Sequence, residues 1–221
     1  MGTRKKSFAN GEFYHIYNRG VDKRVIFVDE EEIHRFFQSM VEFNVVDPVG
    51  SLYQNSFRQL SGPTPKSEDM LVDIIAYCLN PNHFHIILEQ LVEGGISEFM
   101  KRLSGGYTCF FNHKNERSGS LFQGKFKAVH IDSNEYLLHV SAYVNLNDRV
   151  HVLSGRTPKL IASRSSWQEY MGNGVRGICE KEIILGQFKN IGEYKEFALE
   201  SLESTRQRKQ ELKDFDAFLL E

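Results

Sequence analysis

Two runs rich in isoleucine, leucine and aromatic residues meet at Asn80-Pro81-Asn82, and no other stretch restricts the fold of this chain as tightly. Asparagine and proline in tandem mark a turn, so the sequence reads as a strand at about 71–79, a tight turn and a second strand at about 83–89. Side chains alternate along an extended segment, which puts His83 and His85 on one face and Phe84 on the other. Two imidazoles about 6–7 Å apart on one strand face can chelate a single metal ion when a third ligand comes from elsewhere. The same pattern also describes an exposed strand edge carrying two ordinary histidines, so the rest of the chain has to decide.

A chain of 221 residues can bury a sizeable core, enough for one ordinary domain with an appendage. With 41% hydrophobic and 25% charged residues it reads as a soluble globular protein rather than a disordered one. No apolar run approaches the ~20 residues of a membrane span. The basic start Arg4-Lys5-Lys6 leads into no apolar signal core, so a cytoplasmic protein without membrane contact is expected. Cys78, Cys109 and Cys179 are far apart and form no Cys-x-x-Cys pair, which suggests neither a disulfide framework nor a zinc ribbon.

The formal net charge of −2 hides an uneven distribution. Residues 1–24 carry Arg4, Lys5, Lys6, Arg19, Lys23 and Arg24 against Glu12 and Asp22, and residues 101–130 carry Lys101, Arg102, Lys114, Arg117, Lys125 and Lys127 against Glu116 alone. Cations interleaved with Tyr, Phe and Gln suit a surface that tracks phosphates and stacks bases. Solvated faces balanced by acids nearby in space fit the same pattern.

Along the chain, Phe13-Tyr14-His15-Ile16-Tyr17 alternates as a first strand and leads into the basic loop Asn18–Arg24. Asp29 caps a helix whose stripe is Ile33, Phe36, Phe37, Met40 and Val41, and residues 45–69 read as a long loop insertion. Ser97 caps a second helix (Phe99, Met100, Leu103, Tyr107, Phe110, Phe111), with Gly105-Gly106 expected to bend it. Residues 121–131 read as one strand with Lys125 and Lys127 on the same side. Asp132 or Ser133 caps a third helix, on which Tyr143 and Asn147 stand one turn apart. Residues 153–158 form a linker, 165–170 and 183–188 short helices, and 191–220 one or two long amphipathic helices. The domain expectation is therefore 1–152 followed by a helical extension over 153–221.

Four segments together carry a family resemblance: Tyr14-His15-Ile16-Tyr17-Asn18-Arg19-Gly20, Asn80-Pro81-Asn82-His83-Phe84-His85, Gly119-Ser120-Leu121-Phe122-Gln123-Gly124-Lys125-Phe126-Lys127 and Tyr143-Val144-Asn145-Leu146-Asn147. In this order they resemble the HUH single-strand DNA transposases that use one tyrosine, most closely the REP-associated tyrosine transposases. The resemblance implies an α+β fold: a ferredoxin-like antiparallel sheet flanked by helices, with the histidines on a central strand and the tyrosine helix beside them. It further implies that Tyr143 is the nucleophile and that His83, His85 and Asn147 hold Mg²⁺ or Mn²⁺. The DNA partner implied is single-stranded DNA bearing a hairpin, in a nucleoid-associated protein; from the two basic segments, Arg19, Lys23, Arg24, Arg117, Gln123, Lys125 and Lys127 are the candidates for contacting it.

The chemistry of the residues agrees with that assignment. Cleaving a phosphodiester while conserving its energy requires a nucleophile that stays attached, and a phenol can become a phosphotyrosine that a 3′-hydroxyl later attacks. A neutral His, His, Asn set leaves open positions and suits Mg²⁺ or Mn²⁺, although imidazole also takes zinc. Tyr136 and Tyr107 compete for the nucleophile's role, but Tyr136 lies in the first turn of its helix and Tyr107 on a packing helix.

Two features depart from the family pattern. Asp148-Arg149-Val150-His151 stands where relatives read Pro-Val-Arg-Ala, and the extension is longer than a minimal nuclease needs. The extension is expected to dock against the first domain, bind a DNA hairpin or mediate a partner contact, and with eight acids against five bases over 191–221 it is least suited to wrapping DNA directly. Relatives occur as dimers with exchanged tyrosine helices and as monomers, and the extension favours a monomer. A domesticated hairpin-binding protein without transposition activity, a replication-initiation or relaxase-type enzyme and a plain metal-binding protein remain as rivals.

Overall fold

Phe84 and the residues that alternate with it set the first layer. The computed structural model describes residues 7–55, 57, 70–151, 164–172 and 177–218. Strand β1 (Phe13–Arg19) leads through α1 (Glu30–Glu42) and the single turn α2 (Leu52–Asn55) to the hairpin β2 (Val72–Asn80) and β3 (His83–Gln90). Helix α3 (Gly95–Lys114), strand β4 (Lys127–Ile131) and helix α4 (Asn134–Asn145) follow. With a short β5 (Arg164–Ser165) on the edge, the sheet order is β4-β1-β3-β2-β5, and every pairing between these strands is antiparallel. A βαββαβ chain with its four strands ordered 4-1-3-2 is the ferredoxin-like arrangement that the sequence led us to expect.

Ile16, Ile74, Phe84, Ile86 and Leu88 point to the layer made by α1 and α3, where they meet Phe36, Met40, Phe99, Leu103 and Tyr107. Fully burying each such side chain is worth about 1.5–3 kcal/mol, so this layer fixes the register of the hairpin. Asp29 caps α1 as expected, its carboxylate accepting from the Glu32 N–H at 3.0 Å.

Several local expectations are corrected. Helix α3 begins at Gly95 rather than after Ser97, because Gln90 Oε1 accepts the Ile96 N–H at 3.2 Å and Gly95 lies against the residue before β2, where a Cβ would come within 2.3 Å of the Leu71 carbonyl oxygen. The helix also runs on through Gly105-Gly106: Gly105 packs on Leu52, so its missing side chain makes room for α2. The strand expected over 121–131 is only Lys127–Ile131; residues before it turn, with Gly124 at φ +68°, and Lys125 therefore shares no strand face with Lys127. Ser133, not Asp132, caps α4. Most of the loop expected over 45–69, and the linker at 153–158, lie outside the described residues.

The second layer is built by α4 and by the C-terminal part. Residues Asn147–His151 form α5, Arg164–Ser165 a short β5 on the outer edge of β2, Trp167–Tyr170 α6, Glu182–Leu185 α7 and Ile191–Phe218 one long helix, α8. Trp167, Tyr170, Tyr194, Ala198 and Leu202 close over Leu137, Val140 and Val144 of α4 and over Ala76, Cys78 and Ile87 of the sheet. Docking on the sheet is thus the use of the extension seen here. No helix among the described residues is long and apolar enough to cross a membrane.

Far from the histidines, Asp73 and Glu89 face each other across β2 and β3. Burial raises both carboxyls above their usual range; Glu180 adds to the shift of Asp73, and Asp73 and then Glu180 add to that of Glu89. An acid with a raised folded value favours folding below its unfolded value, and that contribution is lost as pH climbs through the raised one. Glu89→Gln is therefore expected to raise the urea midpoint at pH 7, and to raise it less as pH falls toward the ordinary carboxylate range. A midpoint gain that did not shrink on acidification would contradict this account.

Candidate active site

The two central strands, β1 and β3, decide what surrounds the histidines. Tyr17 is registered with His85 and Arg19 with His83, while from β2 Cys78 is registered with His85 and Asn80 with His83. One sheet face therefore carries a contiguous patch of imidazole, phenol and carboxamide. The His85 ring stacks on His15 at 5.0 Å between centroids and on Tyr17 at 5.8 Å, and its Nδ1 lies 2.9 Å from His15 Nε2. Burial lowers the His15 pKa to about 4, so His15 is neutral at pH 7. His83 stands perpendicular to His85 at 5.1 Å; its Nδ1 is 2.7 Å from Asn82 Oδ1 and its Nε2 3.1 Å from Asn80 Nδ2.

Helix α4 delivers Tyr143 to this patch because its apolar side, Leu137, Val140 and Val144, is buried in the second layer. The Tyr143 ring meets His85 edge-on at 5.6 Å and His15 at 6.1 Å. Burial raises the phenol's pKa, while Asn147 works in the opposite direction. Tyr143 and Asn147 do not share a helix as expected: α4 ends at Asn145 and Asn147 opens α5. The turn between them nevertheless leaves Asn147 fully buried, with its Oδ1 accepting from Asn80 Nδ2 at 2.8 Å. Asn147 Nδ2 has no full hydrogen bond, although the carboxamide is close enough to Tyr143 to favour the phenolate.

The competing tyrosines lie elsewhere. Tyr107 is buried in the other layer with its hydroxyl donating to the Ile26 carbonyl, and Tyr136 is 39% exposed in the first turn of α4.

The two basic segments, distant in sequence, are zipped together: the Val21 N–H donates to Leu121 O at 2.9 Å, and Gly20 bridges to Phe122. Gly20 is required there by close approach, since a Cβ would lie 2.3 Å from the Arg24 carbonyl oxygen. Arg19 Nε donates to Gln123 Oε1, and Lys127 Nζ sits 6.0 Å from the Tyr17 ring centroid, so these three side chains rim the histidine patch. Lys23 and Arg24 occupy the adjoining exposed turn, and Arg24 lies near enough to Arg117 to add to the lowering that burial imposes on the Arg117 pKa. Lys125 is exposed in the turn before β4.

Sequence reasoning missed His15, Tyr17 and Asn80. Alternation along β1 placed His15 and Tyr17 on a common face, but only the pairing of β1 with β3 sets them beside His85. Asn80 was read as part of the turn, whereas the turn is Pro81-Asn82 and Asn80 ends β2 opposite His83. In a two-residue hairpin the flanking residues pair, which is the signal that would have found it. Among the described residues, no group of three or more His, Cys, Asp or Glu side chains is placed to hold a metal ion.

Residues 63–147 match the family model described as "Transposase IS200 like". That segment is similar to the IS200-like transposases. It contains Asn80, His83, His85, Tyr143 and Asn147, and begins after β1, so His15, Tyr17 and Arg19 lie outside it. Among solved structures, the chain is similar to a REP-associated tyrosine transposase bound to a REP hairpin, at 15% identity and a TM-score of 0.47 over 80% of this chain and 90% of that one. No curated protein matches the chain.

Proposed function

We propose that the protein is a metal-dependent, site-specific endonuclease and strand transferase for single-stranded DNA that acts beside hairpins through a 5′-phosphotyrosine. The observation that carries this reading is the meeting of Tyr143 with His85, His83 and Asn147 at one point on the sheet. The Tyr143 oxygen attacks the phosphorus, the bond from phosphorus to the 3′ oxygen breaks with its electron pair, and the proton lost by the phenol is balanced by one gained at the new 3′-hydroxyl. A later 3′-hydroxyl reverses the step and restores the phenol.

The residues fit a divalent cation. His83 Nε2 and Asn147 Oδ1 converge on one polarised NH₂ group, that of Asn80, at 3.1 and 2.8 Å. His83, the adjacent His85 and Asn147 would hold the cation as two imidazoles and one carboxamide oxygen. A nitrogen, nitrogen, oxygen set without charge leaves room for water and phosphate oxygens, which suits Mg²⁺ or Mn²⁺. When bound, the ion polarises the scissile phosphate and offsets its developing charge. Asn147 has a second role: its carboxamide partly opposes the rise that burial gives the Tyr143 pKa. Arg19, Gln123 and Lys127 supply donors and charge at the rim for the strand entering the site, and Lys23, Arg24, Lys125 and Arg117 extend the basic surface.

The test uses hairpin-bearing single-stranded DNA labelled at its 3′ end. With Mg²⁺ or Mn²⁺ a labelled covalent adduct should survive denaturing electrophoresis, and a chelator should abolish it. Hairpin binding without any adduct would replace this reading with that of a binding protein.

A further inference from the structure

His15 lies outside the family match and touches the proposed metal site only through His85, and this contact has a definite chemical polarity. His85 Nδ1 is 2.9 Å from His15 Nε2, a distance at which two ring nitrogens share one proton, one donating and the other accepting. A nitrogen engaged in this way has no lone pair left for a cation, so His85 can bind an ion only through Nε2. Nε2 of a neutral imidazole is free to do so only when the proton sits on Nδ1. A metal-binding His85 therefore requires that the shared proton belong to His85 and that His15 accept it.

His83 follows the same logic with a different partner. Its Nδ1 lies 2.7 Å from Asn82 Oδ1, an oxygen that can only accept, and the assignment of that oxygen agrees with Asn82 Nδ2 reaching the Lys23 carbonyl at 3.4 Å. Both histidines then carry their protons on Nδ1 and present Nε2.

We infer that His15 is a positioning residue for the proposed metal site: by accepting the Nδ1–H of His85 it fixes the tautomer and ring orientation that leave Nε2 for a divalent cation. The inference rests on the metal-dependent reading above. His15 is suited to the task because it is held between Tyr17 at 5.2 Å and Tyr143 at 6.1 Å, with its ring near-parallel to that of His85 and 5.0 Å away between centroids. A fixed acceptor also raises the basicity of the donor ring, which strengthens its bond to a metal.

The full chain is examined first without metal, by long-range proton–nitrogen correlation of its imidazoles. His85 should carry its proton on Nδ1; a proton on Nε2 would overturn the inference. Mn²⁺ binding is then followed by paramagnetic resonance. His15→Phe fills the space but accepts nothing and should weaken binding by ~10–100-fold, while His15→Gln, which offers a carboxamide oxygen, should restore most of it. Equal affinity of His15→Phe and the unaltered protein would refute the role of His15 while leaving the metal site standing. Failure of the unaltered protein to bind Mn²⁺ would remove the metal site and this inference together.

Discussion

Tyr143→Phe is expected to abolish the covalent DNA adduct while leaving hairpin affinity within about threefold of the unaltered protein. The substitution removes one oxygen and keeps the ring, so the edge-on contacts with His85 at 5.6 Å and His15 at 6.1 Å remain available. Its effect should therefore be chemical rather than structural. The phenol oxygen is the atom that would bond to phosphorus, and no neighbouring oxygen can substitute for it without a different geometry of attack. Tyr17 provides the control, because its ring also lies against His85, at 5.8 Å, but it stands on the sheet with Lys127 over its face. Tyr17→Phe should keep the adduct. An adduct retained by Tyr143→Phe and lost with Tyr17→Phe would move the nucleophile to β1.

The second large effect is on stability. Tyr194 of α8 is fully buried among Trp167 at 6.2 Å, Tyr170 at 5.3 Å and Phe188 at 5.2 Å. Its hydroxyl accepts from Asn145 Nδ2 at 2.8 Å and lies 3.3 Å from Ser141 Oγ, both on α4. Asn145 is held in turn by Ser166, whose N–H donates to the Tyr77 carbonyl of β2 at 3.0 Å. The extension thereby ties the tyrosine helix to the sheet. Tyr194→Ala leaves an aromatic-sized cavity and strands a buried carboxamide, and should cost about 3–5 kcal/mol in urea unfolding. Tyr194→Phe keeps the ring and loses only the hydroxyl, with an expected cost of about 1–2 kcal/mol. If both variants unfolded at the urea concentration of the unaltered chain, the extension would not support α4 in the way described. A weakened clamp should also lower adduct yield, because Tyr143 sits on the same helix two residues before Asn145.

Features set by neighbouring residues are legible in the sequence. The capped start of α1, the pairing of two apolar runs around Pro81-Asn82 and the opposite facing of Phe84 and the two histidines depend on interactions within a few residues. Misplaced boundaries have non-local causes. Helix α3 starts early because Gln90 from the preceding strand satisfies its Ile96 N–H, and β4 starts late because residues 121–126 turn to meet Gly20. The Asn147 position survives a broken helix because tertiary burial, not helical spacing, holds its side chain.

The sequence by itself determined that His83 and His85 share a face, since the two-residue period of a strand is a property of the backbone. It also determined that α1 and α3 each present an apolar stripe, because those residues lie at helical spacing. Only the tertiary structure decided that His15 and Tyr17 stand beside His85, that Asn80 bridges His83 to Asn147, and that Tyr194 locks α4 in place. These contacts join residues up to 70 positions apart. Their register follows from the summed burial of two layers, a quantity that no short stretch of sequence contains.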